Sequence, residues 1–196
     1  MYDFSSIQVK QISTLELQVE NNSQYTFIDK GAQGAVFKIA EDKCVKIYGE
    51  KDNCDLEKKA YAAAQDSIIV PKVYETGENY IVMDYIDGPS LQKYLLRKGR
   101  ITTNIAKQIV LITREMERVG FQRLDVAPRH VIVNKNKEFK VIDLVNVYIK
   151  KEPNPHRLFM ELKRQNLVQS LMNEIKHIDK GLYEKWRLEM KEYLQN

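Results

Sequence analysis

The sequence has few of the features that mark secreted or membrane proteins. Only two of its 196 residues are cysteine, which excludes a framework of several disulfide bonds and favours reduced thiols inside a cell. No apolar run approaches the length of a membrane span, and the first residues lack the long apolar core of a signal peptide. These absences predict a cytoplasmic protein with no membrane partner.

An excess of charge of one sign is also missing. The 31 basic and 27 acidic residues leave a formal net charge of only +4, and the two signs are interleaved without a polybasic block. A nucleic-acid-binding surface is therefore not indicated. What is present is a 43% share of hydrophobic residues, enough for a core over a length typical of one domain. The oligomeric state stays open.

Apolar periodicity separates a strand-rich first part from a helical second part. Period-two alternation predicts one or two strands within residues 6–19. Residues 27–48 and 68–88 read as strands separated by turns, including a strand at 68–70. Between them, Asp52-Asn53 are predicted to cap a helix that runs to residue 64. Beyond residue 88, the predicted helices cover residues 91–98, 103–119, 158–175 and 182–194.

The most informative stretch is residues 121–145. A polar loop that contains Asp125 leads into a strand at 131–133, and a second strand at 139–142 delivers Asp143 at its end. Because hairpin strands are antiparallel, the start of one lies beside the end of the other, so the two aspartates should be close together. Neighbouring carboxylates repel each other unless a cation lies nearby. The pattern suits a site that accepts a proton and holds a hard metal ion.

A second informative stretch, residues 27–48, reads as three strands with a glycine turn after the first. Gly31 and Gly34 leave the bend without side chains, so its backbone amides could approach phosphate oxygens closely. The strand that ends the stretch contains Lys46.

These segments resemble, in the same order, the motifs of the protein kinase-like superfamily. DVAPRH, VIV and VIDLV resemble the catalytic loop and the metal-binding segment, and the spacing of the two aspartates, 143 − 125 = 18 residues, matches the family. The glycine turn and the following VKI resemble the phosphate-covering loop and the lysine strand, and MDYIDGPSL resembles the hinge. In its short length the chain resembles the small atypical RIO-like Ser/Thr kinases of bacterial or archaeal type.

The resemblance implies an α+β fold, a minimal two-lobed protein kinase-like domain. Residues 1–86 would form the N-lobe, an antiparallel sheet with one helix that carries the glycine-rich loop, the lysine, the glutamate and the hinge. Residues 87–196 would form a helical C-lobe that carries the catalytic hairpin. A nucleotide would lie between the lobes.

The resemblance also implies roles for single residues. Asp125 would accept the hydroxyl proton, and Arg129 would stabilise the transferring phosphoryl group. Asp143 would hold a metal ion, with His130 beside it where the family has an asparagine. The predicted metal is Mg2+, with Mn2+ as the alternative because imidazole suits manganese better than magnesium.

The predicted nucleotide is ATP. Lys46 would grip its phosphates, as a residue with a catalytic role, and Glu57 would orient Lys46 through an ion pair. The residues that the resemblance assigns to ATP binding are Gly31, Gly34, Val36, Lys46, Glu57, Met83, Asp84, Ile86 and Ile132.

The favoured function is therefore ATP-dependent transfer of a γ-phosphoryl group to a protein hydroxyl by a Ser/Thr-type kinase. One alternative is a small-molecule phosphotransferase acting on a sugar, lipid or aminoglycoside hydroxyl. Another is a pseudokinase that binds a nucleotide or a partner without transfer. This last alternative is favoured by three departures from the family pattern: Asp29 replaces the first loop glycine, His130 the asparagine, and Val145 the glycine of the metal-binding segment.

Overall fold

The structure, a computed structural model, describes residues 2–194. Within that range the chain forms two compact units. One contains the residues up to Gln65 together with Pro71–Tyr85, and the other contains Asp66–Val70 together with the residues from Ile86 onward.

This division differs at two places from the lobes expected at 1–86 and 87–196. Ile86 belongs to the second unit, and so does the short segment 66–70. The segment contacts the rest of the second unit at several points: the Ser67 hydroxyl donates to Glu115 at 2.6 Å, and the Ile69 carbonyl accepts from the Val141 amide at 2.6 Å.

The first unit is built on a five-stranded antiparallel sheet. Its strands are β3 Thr26–Lys30, β4 Gly34–Lys38, β5 Lys43–Tyr48, β6 Val73–Thr76 and β7 Tyr80–Asp84. Their spatial order is β3-β4-β5-β7-β6, which places β5 at the centre. Helix α1, Lys51–Ala63, follows β5 in sequence and packs against it.

Strand β5 is buried along nearly its whole length because both of its faces are covered. Successive side chains on a strand point to opposite faces. Val45 and Ile47 enter the hydrophobic core of the unit, whereas Lys46 and Tyr48 both reach Glu57 on α1. The alternation of side chains along β5 thus places Lys46 on the face that packs against helix α1.

A two-stranded antiparallel hairpin precedes the sheet. It consists of β1 Ile7–Ser13 and β2 Glu16–Asn21, and the strand register shifts between Gln11 and Ser13, which marks a bulge. Its buried side chains, Ile7, Val9 and Leu17, pack in the same core as Val45 and Ile47.

The second unit is mainly helical. Its helices are α2 Leu91–Lys98, α3 Thr103–Arg118, α4 His156–Arg164, α5 Val168–Ile178, α6 Lys180–Glu189 and α7 Lys191–Leu194. The predicted ends of the first of these helices are confirmed: the Ser90 hydroxyl accepts from the Lys93 amide, and Gly99 ends α2 in the left-handed conformation with φ 63°. The buried face of α3 carries Ile105, Ile109, Ile112 and Met116, as its spacing predicts.

The hairpin of the second unit consists of β8 Val131–Val133 and β9 Phe139–Val141, with Val131 opposite Val141. One residue beyond that pair, the Ile142 amide donates to the His130 carbonyl at 2.9 Å. The register therefore places His130 beside the segment that leads to Asp143.

Three local predictions were wrong. Residues 68–70 form no strand: among residues 2–194 the segment shares one backbone hydrogen bond with β9, from the Val141 amide to the Ile69 carbonyl, which is too few for a strand ladder. Helix α1 begins at Lys51 with Glu50 as its N-cap, so Asp52-Asn53 lie inside the helix. The helix expected over 158–175 is two helices, because Asn166 adopts a left-handed φ of 56° and ends α4.

The second of the predicted terminal helices is also divided, into α6 and α7. None of the helices within residues 2–194 has the length and apolar character needed to cross a membrane. The predicted α+β architecture, an antiparallel sheet followed by helices, is confirmed.

Candidate active site

The first part of the candidate site is an ion pair between strand β5 and helix α1. Lys46 Nζ lies 2.6 Å from Glu57 Oε2, and the Glu57 side chain is completely buried. Lys46 is nearly as well enclosed, with 11% of its side chain exposed. The two residues that the sequence paired are therefore in direct contact, eleven positions apart in the chain.

Tyr48 is a third member of this cluster. Its hydroxyl donates to the same Glu57 oxygen at 2.6 Å, and Lys46 Nζ lies 4.9 Å from the centre of its ring. Burial, together with the Glu57 carboxylate, raises the pKa of Tyr48 well above its usual range, so the hydroxyl remains a donor. Two donors converge on one carboxylate oxygen, which keeps the charge of Glu57 compensated and limits the positions open to Lys46.

The glycine-rich turn lies next to this cluster. Residues 31–33 connect β3 to β4, and Val36 on β4 pairs directly with Lys46 on β5. A Cβ atom at Gly34 would lie 2.8 Å from the Ile47 carbonyl oxygen, so only glycine allows β4 to approach β5 this closely. A Cβ at Gly31 would meet no atom within 4 Å.

Two amides of the turn fit the demands of a phosphate group. Within the described part of the chain, the structure shows no hydrogen bond donated by the Ala32 or Gln33 amides. Backbone amides without protein partners are suitable donors for phosphate oxygens. Asp29, which replaces the first glycine of the family pattern, is exposed on β3 and accepts from the Lys30 amide at 2.8 Å.

The hinge prediction involved Met83, Asp84 and Ile86. Met83 is buried at the end of β7, opposite Cys44. The Asp84 carbonyl, expected to pair with adenine, lies 3.5 Å from the Cys44 sulfur, and burial together with the Asp84 carboxylate raises the pKa of the Cys44 thiol to about 12. The Ile86 amide donates no hydrogen bond among residues 2–194.

In the second unit, His130 and Asp143 are brought together. His130 Nδ1 lies 3.3 Å from Asp143 Oδ2, and Arg129 Nε donates to His130 Nε2 at 3.0 Å. Asp143 has a φ of 64°, a backbone conformation that is unfavourable for a residue other than glycine. Strained residues of this kind cluster at functional sites.

This pair of side chains fits a divalent cation only in part. His130 Nδ1 and Asp143 Oδ2 lie 3.3 Å apart, close to the spacing of neighbouring ligands around an ion with bonds of about 2.1 Å. Because Arg129 donates to Nε2, the neutral ring carries its proton on Nδ1, and a metal bound there would have to displace that proton. Yet the described residues contain no group of three or more His, Cys, Asp or Glu side chains able to hold a metal. Mg2+ is commonly held by one or two carboxylates plus substrate phosphates, so His130 and Asp143 fit a metal that arrives with a nucleotide.

Asp125 lies in a different environment from the one expected. It is 7% exposed, and Oδ1 accepts from the Arg157 amide at 2.7 Å. Its Oδ2 lies 3.3 Å from Arg157 Nε and 3.4 Å from an Arg123 guanidinium nitrogen. The cations beside this carboxylate are thus two arginines.

The two remaining predicted residues flank this segment. Arg129 is exposed in the short 3-10 turn Pro128–His130, where its side chain donates to the His130 ring. Ile132 is half-buried on β8 and forms an isolated bridge with Ser90.

Sequence reasoning missed Tyr48 and Arg157. Tyr48 could have been found, because it lies two residues after Lys46 on a strand and so shares its face. Arg157 is 32 residues from Asp125, and no local pattern connects the two.

Three features together are typical of a kinase-like phosphotransferase. They are an antiparallel sheet with a glycine turn, a lysine paired with a glutamate on a helix, and a helical unit whose hairpin is followed by an aspartate. Residues 48–196 match the family described as "ABC1 atypical kinase-like domain", and the chain belongs to that family. The match includes Asp125 and Asp143, whereas Lys46 and the glycine turn precede it.

Relatives with protein kinase names support the same class. The chain is 25% identical over 130 residues to "Putative serine/threonine-protein kinase YrzF" of Bacillus subtilis, which covers 64% of this chain and 60% of that protein. It is 32% identical over 95 residues to "Probable serine/threonine-protein kinase SCO3848" of Streptomyces coelicolor, covering 42% and 14%. It is 35% identical over 75 residues to the dual specificity mitogen-activated protein kinase kinase dSOR1 of Drosophila melanogaster, covering 36% and 19%.

Proposed function

We propose that this chain is an ATP-dependent phosphotransferase that transfers the γ-phosphoryl group to a serine or threonine hydroxyl of a protein. The observation that carries the proposal is the buried contact of 2.6 Å between Lys46 and Glu57, next to a glycine turn. A buried lysine held by a carboxylate keeps its charge at a defined position. Such a cation is suited to nucleotide phosphates.

In the proposed reaction the acceptor hydroxyl oxygen forms a bond to the γ-phosphorus. The bond from that phosphorus to the oxygen that bridges it to the β-phosphorus breaks, and its electrons leave with ADP. The hydroxyl proton passes to the Asp125 carboxylate. Each carboxylate oxygen has two lone pairs, so the contacts with Arg123 and Arg157 leave Asp125 able to accept that proton.

The remaining roles concern charge. Lys46 stabilises negative charge on the phosphates, and the Ala32 and Gln33 amides donate to phosphate oxygens. His130 and Asp143 would hold a Mg2+ or Mn2+ ion, which neutralises charge on the phosphates when bound. Arg129 lies next to His130 in sequence and supplies a further positive charge there.

The test is phosphoryl transfer from radiolabelled ATP by the purified chain, with Asp125→Asn as the matched control. We expect label on serine or threonine of the protein itself or of an added peptide library, and none with the variant. A panel of sugars, lipids and aminoglycosides tests small-molecule acceptors in the same assay. Label on one of these instead of on protein would contradict the proposed acceptor class.

The environment of Asp125 favours a second candidate function, nucleotide binding without transfer. Both of its oxygens are engaged by arginine, and little of the side chain is exposed. If the chain binds ATP and neither it nor the Asp125→Asn variant transfers phosphate to any acceptor, this second function replaces the first.

His130 leads to an expectation about the metal. An imidazole ligand favours Mn2+ over Mg2+. Turnover should therefore be faster with manganese, and the preference should be lost in His130→Asn, which restores an oxygen ligand. Equal rates with the two metals in the wild-type chain would count against His130 as a ligand.

A further inference from the structure

The β1–β2 hairpin lies outside the residues that match the family, yet it contacts the glycine turn directly. The Gln11 side-chain amide donates to the Ala32 carbonyl at 2.8 Å, across 21 positions of sequence. On the strand before the turn, Lys30 Nζ donates to the Leu17 carbonyl at 3.0 Å. The hairpin therefore contacts the turn directly through Gln11 and the adjoining end of β3 through Lys30.

Gln11 is placed for this contact by the bulge in β1. Its Nε2 is surrounded by three carbonyl oxygens, those of Ser13, Glu16 and Ala32. Its Oε1 is buried and has no partner within residues 2–194. Three acceptors around one atom require a donor there, which assigns the amide orientation. In this orientation the Gln11 Nε2 donor is satisfied, and the buried Oε1 is left without a partner, which is energetically unfavourable.

Gly49, just after β5, allows the hairpin to lie this close. A Cβ at that position would lie 2.8 Å from the Gln11 backbone nitrogen and 2.8 Å from a Leu17 methyl carbon. The Gly49 amide donates to the Gln33 carbonyl at 3.0 Å. The two consecutive carbonyls of the turn, at Ala32 and Gln33, are therefore both held by neighbouring elements of the same unit.

Holding a carbonyl also sets the direction of the next amide. The peptide unit is planar and trans, so its N–H points opposite to its C=O. When Gln11 holds the Ala32 carbonyl, the Gln33 N–H must point away from Gln11. When Gly49 holds the Gln33 carbonyl, the direction of the Gly34 N–H is set in the same way.

We propose that Gln11 is a positioning residue for the glycine-rich turn: by holding the Ala32 carbonyl it orients the Gln33 amide, one of the two proposed to receive nucleotide phosphates. The inference rests on the proposed function and deepens it, because it assigns a role in ATP binding to the hairpin. Gln11 itself touches no phosphate in this scheme. It reduces the number of conformations that the turn loses when ATP binds.

The test compares Gln11→Met with Gln8→Met. Methionine has nearly the shape of glutamine and lacks the donor, and Gln8 is an exposed residue of the same strand. In the nucleotide-free protein we expect the Gly31 and Gly49 amides, which are hydrogen-bonded within this network, to exchange with deuterium several-fold faster in Gln11→Met alone. The KM for ATP should rise about tenfold, the size expected for one lost hydrogen bond, with a much smaller change in kcat.

Lys30→Met is a second variant, because Lys30 is exposed and its replacement does not threaten folding. Like Gln11→Met, this variant should make hydrogen–deuterium exchange at the Gly31 amide faster. Wild-type exchange at both glycines, or a wild-type KM, in a folded Gln11→Met protein overturns the proposal while leaving the proposed function intact. If the wild-type chain binds no ATP, the proposed function fails first and this inference fails with it.

Discussion

At the scale of single residues, Glu57 has the most demanding environment in the candidate site. Its side chain is fully buried, and one oxygen accepts from both Lys46 and Tyr48. Removing an ion from water costs several kcal/mol, which only close partners offset. The Lys46–Glu57 pair is therefore a condition of the fold as well as a proposed part of the reaction.

Replacing Lys46 with methionine should destabilise the protein more than replacing both partners. Lys46→Met leaves a buried carboxylate without its cation, which should lower the free energy of unfolding by about 3 kcal/mol. The double variant Lys46→Met with Glu57→Leu contains no such charge, so its loss should be smaller. Urea denaturation of both single variants and the double variant measures the coupling.

Both Lys46 variants should also lack phosphoryl transfer, because neither retains the cation. Partial recovery of stability in the double variant without recovery of activity separates the structural from the functional role of Lys46. Strictly additive losses would show that the two side chains do not stabilise each other, contrary to the structure.

At the scale of secondary-structure elements, Asp125 serves as a cap for helix α4. The helix follows Pro155, whose side chain has no hydrogen-bonding group, and Asp125 Oδ1 accepts from the Arg157 amide of the first turn at 2.7 Å. A carboxylate at a helix N-terminus also interacts favourably with the helix dipole. The proposed proton acceptor is thus held in place by an element 32 residues further along the chain.

Two substitutions of Asp125 should separate these roles. Asp125→Ala removes the cap and should lower the free energy of unfolding by about 1 to 2 kcal/mol. Asp125→Asn keeps an oxygen that can accept from the Arg157 amide, so it should retain more stability. Both should abolish transfer, since neither accepts the proton. Equal stability of the two variants in thermal denaturation would contradict the capping role.

The glycine turn provides a matched pair of substitutions. Gly34→Ala places a Cβ 2.8 Å from the Ile47 carbonyl, whereas Gly31→Ala places one in open space. Forcing a methyl group into a packed site costs about 1 to 3 kcal/mol, so Gly34→Ala should be less stable and Gly31→Ala should unfold like the wild type. Urea denaturation checks this. Wild-type stability of Gly34→Ala would show that β4 and β5 separate easily.

Elements with a local signal could be predicted from the sequence. The last strand of residues 27–48 was predicted where β5 lies, and Ser90 and Gly99 marked both ends of α2. Residues 68–70 were misread because an apolar triplet resembles a strand whether or not a partner strand is available. Asn166, a known kind of helix stop, was a local signal that went unused.

The candidate site shows the same limit. The pairing of Lys46 with Glu57 followed from a motif, and Tyr48 follows from the period of a strand. The contact of Gln11 with Ala32 joins residues that are distant in sequence and share no pattern. Such contacts depend on how whole elements pack, which local spacing does not encode.

At the scale of the whole molecule, the proposed roles are distributed over both compact units. The groups proposed to bind phosphate, Lys46 and the turn amides, belong to the first unit, whereas Asp125, His130 and Asp143 belong to the second. Only the second set lies within the family match. The proposed reaction therefore needs the entire chain, and ligand binding should be visible in the unfolding of the entire chain.

Metal and nucleotide should stabilise the protein together rather than separately. His130 and Asp143 offer too few ligands to hold Mg2+ alone, and phosphates supply the others. At about one hundred times its dissociation constant, a ligand adds about 2.7 kcal/mol, which for a chain of this length raises the melting temperature by about 5 to 10 °C. We expect this rise with ATP and Mg2+, a smaller one with ATP and a chelator, and almost none with Mg2+ alone. Asp143→Asn should remove the difference between the first two conditions, and an equal rise with and without chelator in the wild-type chain would exclude Asp143 as a metal ligand.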